Sequence, residues 1–175
     1  MGEDDRMNQE TGRGAGTIAD EPKRGGFRLA AYAVCVEDGR VLLAHHASGC
    51  WTLPGGRVEH AEDPFDAVVR EFAEETGCDA VVDRLLGVDS RVIPASEAHA
   101  GVSHQNVGVF YRVRITGGVL RPEPNGEIVG SAWTPFPEVA SLRRSSLVDV
   151  GLALARSLPA TGHVAPVPVT GLIEH

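Results

Sequence analysis

The chain has little cysteine, a shortage of positive charge and no long apolar run, and each shortage removes a class of protein. Three cysteines in 175 residues, Cys35, Cys50 and Cys78, are too few and too scattered for a disulfide framework or a zinc ribbon, and they fit a reducing compartment. Lys and Arg number 16 against 24 Asp and Glu, a net charge of -8. Sequence-independent nucleic-acid binding needs concentrated basic surface to displace counterions, so duplex DNA or RNA is not an expected partner. No stretch approaches the roughly 18 consecutive apolar residues of a membrane helix, and the first residues hold no apolar signal-peptide core. These absences predict a soluble, cytoplasmic protein that makes no membrane contact. There is no internal repeat, and the length suits one well-packed domain rather than two.

Composition divides the chain into three parts. Residues 1–26 are polar and glycine-rich and predict a disordered N-terminal tail. The run Gly12-Arg13-Gly14-Ala15-Gly16 lacks both the spacing and the preceding strand of a phosphate loop. Residues 27–158 carry the periodic segments of a folded domain, and 159–175, with Pro159, Pro166 and Pro168, predict an extended C-terminal tail. Such a tail could pair with a second subunit, so a homodimer is a possible assembly.

Within the central part, Phe27 to Val36 is almost continuously apolar, as a strand buried on both faces would be, and Asp38-Gly39 makes a two-residue turn into a strand over Val41 to Ala44. Ala80 to Val92 predicts a strand, and Ile93 to Ser103 a loop. Val109, Tyr111, Val113 and Ile115 alternate with Arg112 and Arg114 in a half-exposed strand ending at Gly117-Gly118. A short strand over Ile128 to Trp133 precedes a last helix capped by Ser146, with Leu147, Val150, Gly151 and Leu154 on one face. Strands around one strong helix, followed by a late helix, predict an α/β fold with a mixed sheet held between helices.

The strong helix is also where the chemistry concentrates. Asp63 is a suitable N-cap, Pro64 a suitable first residue and Gly77 a left-handed stop. At about 100° per residue, Glu71, Glu74 and Glu75 fan over roughly a quarter of the circumference. Phe65, Val68, Val69 and Phe72 form a separate apolar stripe that can face a sheet. Like charges at i,i+3 and i,i+4 destabilise a helix by a few tenths of a kcal/mol per pair, so a cluster of three asks for a counter-charge. Oxygen-only ligands favour a hard ion, Mg²⁺ or Mn²⁺.

From Gly56 to Cys78 the chain follows the pattern G-x5-E-x7-R-E-U-x-E-E-x-G-U, with Gly56, Glu62, Arg70, Glu71, Glu74, Glu75 and Gly77 at the fixed positions. With residue frequencies of roughly 7%, seven chance matches have a probability on the order of one in a million. The segment resembles the Nudix box, and Phe72 and Cys78 are mild departures at the bulky aliphatic positions. The resemblance implies the Nudix α/β/α sandwich and metal-dependent hydrolysis of a phosphoanhydride in a nucleoside diphosphate linked to another group. It implies Glu71, Glu74, Glu75 and the Gly55 carbonyl as metal ligands, with Arg70 orienting a glutamate. Glu71 is the first candidate for general base, and Glu127, ahead of Trp133, is the main candidate outside the box. Gly55 and Gly56, in Trp51-Thr52-Leu53-Pro54-Gly55-Gly56, are expected to let backbone approach metal and phosphate, and His104 to line the substrate cleft. His45 and His46 are adjacent in a strand, point to opposite faces and do not share a metal easily. Glu59 and Glu62 look like a glycosidase pair, but nothing else in the chain supports that reading.

The box does not select the substrate. Pro94 falls sixteen residues beyond Cys78, a spacing associated with relatives that cleave ADP-ribose, and it favours ADP-ribose or a related small nucleotide. Two alternatives stand beside it: a house-cleaning hydrolase of modified nucleoside triphosphates, and a nucleotide-sensing module without turnover.

Overall fold

A computed structural model describes residues 26–96, 101–124 and 126–168. The expected N-terminal tail therefore lies outside the described residues except for its last position, as do the end of the C-terminal tail, Glu97 to Ala100 of the expected loop, and Asn125 of the expected turn before Glu127.

The elements follow the hydrophobic pattern closely. Strand β1 (Gly26–Glu37) is buried from Ala30 to Cys35 on both faces. It turns through Asp38 (φ 48°) and Gly39 (φ 73°) into β2 (Arg40–His46). Two successive positive φ values are what a tight hairpin of this hand requires. Two short strands, β3 (Trp51–Thr52) and β4 (Gly55–Arg57), occupy the stretch expected to be only a loop. Helix α1 (Pro64–Thr76) begins where Asp63 accepts the Phe65 N–H at 2.8 Å. It ends at Gly77 with φ 77°. Strands β5 (Cys78–Ile93), β6 (His104–Gly118) and β7 (Ile128–Pro135) follow, then a single turn of helix α2 (Phe136–Val139) and helix α3 (Ser146–Ser157).

The cap of α3 differs from expectation by one residue. Ser145 is the N-cap and accepts from the Leu147 N–H at 3.3 Å. Ser146 is the first helical residue, and its hydroxyl accepts instead from Arg91 Nη1 at 2.7 Å. Both serines satisfy the local cap preference, so a contact 55 residues away in the chain, unreadable from local pattern, decided between them.

The strands form a mixed seven-stranded sheet in the order β3-β2-β1-β6-β5, with β4 also on β1 and β7 also on β2. β1 runs parallel to β6 from Gly26 to Cys35, while its far end pairs antiparallel with β2 at Val36 and Glu37. Alternation along β1 sends Ala31, Ala33 and Cys35 to one face, against Ala67, Val68 and Phe72 of α1. It sends Ala30, Tyr32 and Val34 to the other, against Leu147, Val150 and Leu154 of α3. This is the expected sandwich of helix, mixed sheet and helix. The apolar stripe of α1 is rotated slightly from the expected one: Ala67 is fully buried, while Phe65 is 47% exposed and meets Tyr111 edge-on.

After α3 the chain does not leave the domain at once. Pro159 to Gly162 forms a turn, the Val88 N–H of β5 donates to the Gly162 carbonyl at 3.0 Å, and Val164 and Val167 pack on the core beneath α3. The close approach depends on Gly87, where a Cβ would lie 2.1 Å from that carbonyl. Gly87→Ala is expected to lift this segment from β5 while leaving the sheet folded. Losing one hydrogen bond, about 1 kcal/mol, should speed amide exchange at Val88 several-fold, and unchanged exchange would show that the contact is dispensable.

Candidate active site

The site forms where β4 leaves β1 and the chain enters α1, because that geometry drives backbone into the acidic face of the helix. The Gly55 N–H donates to Glu75 Oε2 at 2.9 Å. At Gly55 φ is 139°, and a Cβ there would meet the Ala31 carbonyl at 2.2 Å. Gly56 is constrained by the site rather than by the backbone, since its Cβ would sit 2.7 Å from the carboxylate of Glu71 and displace it. The paired glycines are therefore needed for the two glutamates to lie against the backbone.

The three helix glutamates sit at graded depth. Glu75 is buried at 8% exposure, Glu71 is partly buried and Glu74 has a side chain 52% exposed. Burial pushes the Glu75 carboxyl well above its ordinary range; the Gly55 N–H opposes this, and the charges of Glu71, Glu123 and Glu74 add to it. Burial also raises Glu71, although Arg70 bonds it. The reason is that Arg70 is shared. Its Nη1 donates to Glu71 Oε1 at 3.0 Å and to Glu74 Oε2 at 3.2 Å. Its Nε and Nη2 grip Glu62 at 2.8 and 2.9 Å, and Nη2 also reaches the Arg57 carbonyl at 3.1 Å.

Glu62, which sequence reading placed in the motif without a role, is thus the main partner of Arg70. The two-point bond from Arg70, reinforced by the Glu59 N–H, holds Glu62 down at about 2. Glu62 in turn holds the Arg70 guanidinium above its ordinary value. A planar fork bound on both prongs of one side is fixed in rotation, so Glu62 aims the remaining nitrogen at Glu71.

The other expected residues distribute differently. Glu127 turns toward His46: the Ser48 N–H donates to His46 Nδ1 at 3.1 Å, leaving Nε2 to donate to Glu127 Oε2 at 3.2 Å. The loop carboxylate whose charge reaches Glu71 and Glu75 is Glu123. Glu123 is tied down by the Ile128 N–H at 3.2 Å. The sequence singles out Glu127 and not Glu123, because the fold-back that pairs Glu123 with Ile128 leaves no local mark. His104 opens β6 opposite Ile93 and beside Gly26. His45 stacks on Trp51 at 4.4 Å.

Five carboxylates thus make up the site: Glu62, Glu71 and Glu74 bond Arg70, and Glu75 and Glu123 add their charge beside Glu71. All are hard oxygen donors, and buried Glu75 and partly buried Glu71 are held above their ordinary range. That donor chemistry fits a hard divalent cation. In the arrangement seen, Arg70 draws Glu71 and Glu74 aside and Gly55 holds Glu75. No three His, Cys, Asp or Glu side chains among the described residues converge closely enough to form a ready-made ion cage.

A mixed-sheet α/β/α sandwich with an acid-rich helix entered through paired glycines defines a class, and comparison with known proteins names it. Residues 26–150 match the NUDIX domain, and the chain belongs to that family. It is 35% identical over 111 residues to a MutT-like protein of Streptomyces ambofaciens, covering 63% of this chain and 64% of that one. It is 33% identical over 97 residues to an ADP-ribose pyrophosphatase of Methanocaldococcus jannaschii, covering 53% and 54%. The chain thus spans less than two thirds of these relatives' lengths. A NUDIX hydrolase from Nitrosomonas europaea shares the fold with a TM-score of 0.64 at 21% identity, covering 74% of this chain and 88% of that one. No helix among the described residues is long and apolar enough to cross a membrane.

The Glu62–Arg70 pair has a pH signature. Glu62 is depressed to about 2 from an ordinary value of 4.5, so its contribution to stability is full above about pH 4.5 and fades as pH falls through about 2. Glu62→Gln should lower the melting temperature at neutral pH, and the gap to the parent should narrow as pH drops across that window. A gap independent of pH would mean that the bond does not depend on the carboxylate charge.

Proposed function

We propose that the protein is a divalent-metal-dependent pyrophosphohydrolase that cleaves the phosphoanhydride of a nucleoside diphosphate linked to another group, with ADP-ribose or a related nucleotide as the favoured substrate. The observation that carries this reading is the charge-crowded pair of buried Glu75 and partly buried Glu71, pressed against the backbone of Gly55 and Gly56. Two unit charges of like sign at 4 Å repel by about 4 kcal/mol at an effective dielectric of 20, and a substrate diphosphate would add to that repulsion. Cations are therefore required before the substrate can approach. Mg²⁺ or Mn²⁺ held by Glu71, Glu74, Glu75 and the Gly55 carbonyl would polarise the phosphoryl oxygens and activate a water.

The protein's own groups have separable roles in this reading. Glu75 is the fixed ligand, since the Gly55 N–H holds its carboxylate. Glu74 is the mobile one: half exposed and bound only at the edge of Arg70, it can swing inward at little cost. Glu71 is the proposed general base, and its burial suits it to accept a proton. Arg70, locked by Glu62, positions Glu71. Glu123 joins Glu127 as a loop acid able to assist, and it has the stronger support because its charge reaches the cluster. Gly56 keeps the helix face open, and His104 remains a proposed cleft residue. The ADP-ribose assignment rests on the position of Pro94 and on the name of the archaeal relative.

A screen of nucleotides with Mg²⁺ and Mn²⁺ tests the reading. ADP-ribose should yield AMP and ribose 5-phosphate, whereas pyrophosphate released from a triphosphate would favour the house-cleaning alternative. Binding without any product would favour the sensor. Glu74→Gln, at an exposed position where folding is least disturbed, should lower turnover at least about a hundredfold, because metal-borne charge stabilisation is a large catalytic term. Unchanged turnover would remove Glu74 from the reaction.

A further inference from the structure

On the α3 face of the sheet, opposite α1, a row of polar side chains crosses three strands: half-buried Arg28 on β1, buried Asn106 beside it on β6, and buried Arg91 beside that on β5. The two arginines differ in how they are satisfied. Arg91 is saturated, donating to Asp89 Oδ2 from Nε at 2.7 Å and from Nη2 at 2.6 Å, and to Ser146 Oγ from Nη1 at 2.7 Å. Arg28 is not: its Nε is buried and finds no acceptor among the described residues. Leaving a buried charged donor without a partner is costly, and native proteins seldom do so without reason.

The surroundings of Arg28 point to the reason. Strand pairing sets Ala30 opposite Arg57, and alternation puts Arg28, Ala30 and Arg57 on one face. Burial depresses the Arg28 guanidinium, the like charge of Arg57 on the same face adds to that, and the Glu71 carboxylate opposes it. Tyr32, two residues beyond Ala30 on the same face, pairs with Gly55, whose N–H bonds Glu75, so this face of the sheet meets the acidic cluster. Two neighbouring guanidiniums, one with an unused buried donor, beside a cation-seeking carboxylate site, form a receptor for an anion with several oxygens.

We propose that Arg28 is a substrate-binding residue that takes a phosphoryl oxygen of the nucleotide diphosphate through its unpaired Nε–H, with Arg57 flanking the same group. The assignment deepens the reading of a diphosphate substrate given above and rests on it for the position of the scissile linkage. The planar fork matches phosphate oxygens in a way that a lysine ammonium does not. The anion is bound from the sheet side while the carboxylates act from the helix side, so the diphosphate is held between opposite charges.

The test is equilibrium binding of α,β-methylene-ADP, which lacks the cleavable linkage, to the full chain in the presence of Mg²⁺, alongside steady-state kinetics with ADP-ribose. Arg28→Gln should weaken analogue binding by about tenfold or more, the usual range for losing a charge-assisted hydrogen bond. It should raise KM more than it lowers kcat, and Arg28→Lys should recover part of the loss. Undiminished binding by Arg28→Gln overturns the assignment. So does an equal loss in both variants accompanied by a lowered melting temperature, which marks a structural role, and so does failure of the parent chain to bind the analogue. Binding by the parent without turnover of any nucleotide would instead defeat the hydrolase reading and leave Arg28 in place.

Discussion

The site depends on one shared cation. Glu71, Glu74 and Glu75 lie on adjacent turns of α1, where repulsion disfavours both the helix and the approach of an anionic substrate. Arg70 is the counter-charge built into the same helix, and Glu62 fixes it. Because Glu62 takes two nitrogens of the fork and the backbone of Arg57 takes part of a third bond, only one nitrogen faces the cluster. One nitrogen divided between Glu71 and Glu74 does not neutralise them, and burial still raises Glu71. The cluster is therefore held in shape without being satisfied, the condition in which an added divalent ion gains most.

The sheet supplies the second constraint. β1 pairs with β4 and β6 along its first part and with β2 at its end, so the sheet opens where β4 turns away toward α1. Only at such an opening can main-chain N–H groups reach a helix side chain without breaking the ladder. Gly55 uses that opening to bond Glu75, and Gly56 uses it to lie flat against Glu71. A side chain at Gly55 would strike the backbone of β1, and one at Gly56 would displace the Glu71 carboxylate, which couples the placement of the carboxylates to backbone topology.

These two constraints explain what was legible in the sequence. The helix from Asp63 to Gly77 was readable because its cap, its proline, its stop and its apolar spacing all agree locally, and β1 because a continuous apolar run has few other uses. β3 and β4 were not, since strands of two and three residues rest on register with β2 and β1 rather than on their own composition. Within the site, the glutamates and Arg70 were visible as a fixed pattern, but the grip of Glu62 on Arg70 depends on the loop bending back over the helix. The choice of Glu123 over Glu127 as neighbour of the cluster, and of Ser145 over Ser146 as cap, likewise turned on contacts between distant segments. Local chemistry named the candidates, and tertiary packing chose among them.

The division of labour between the two faces of the sheet shows why the motif is silent about substrate. The residues of the fixed pattern sit on β4, in the turn that leads into α1, on α1 and at its C-cap, and in the proposed reaction this side grips ions and a phosphoanhydride whatever is attached to them. The opposite face carries polar groups outside the pattern: half-buried Arg28, and Tyr32, Asn106 and the Asp89–Arg91 pair, which are buried. Those residues come from three strands and follow no short spacing, so no linear pattern can encode them together. Their polarity inside an otherwise apolar layer is the departure from ordinary core composition, and it gives this face contacts that the fixed pattern does not encode.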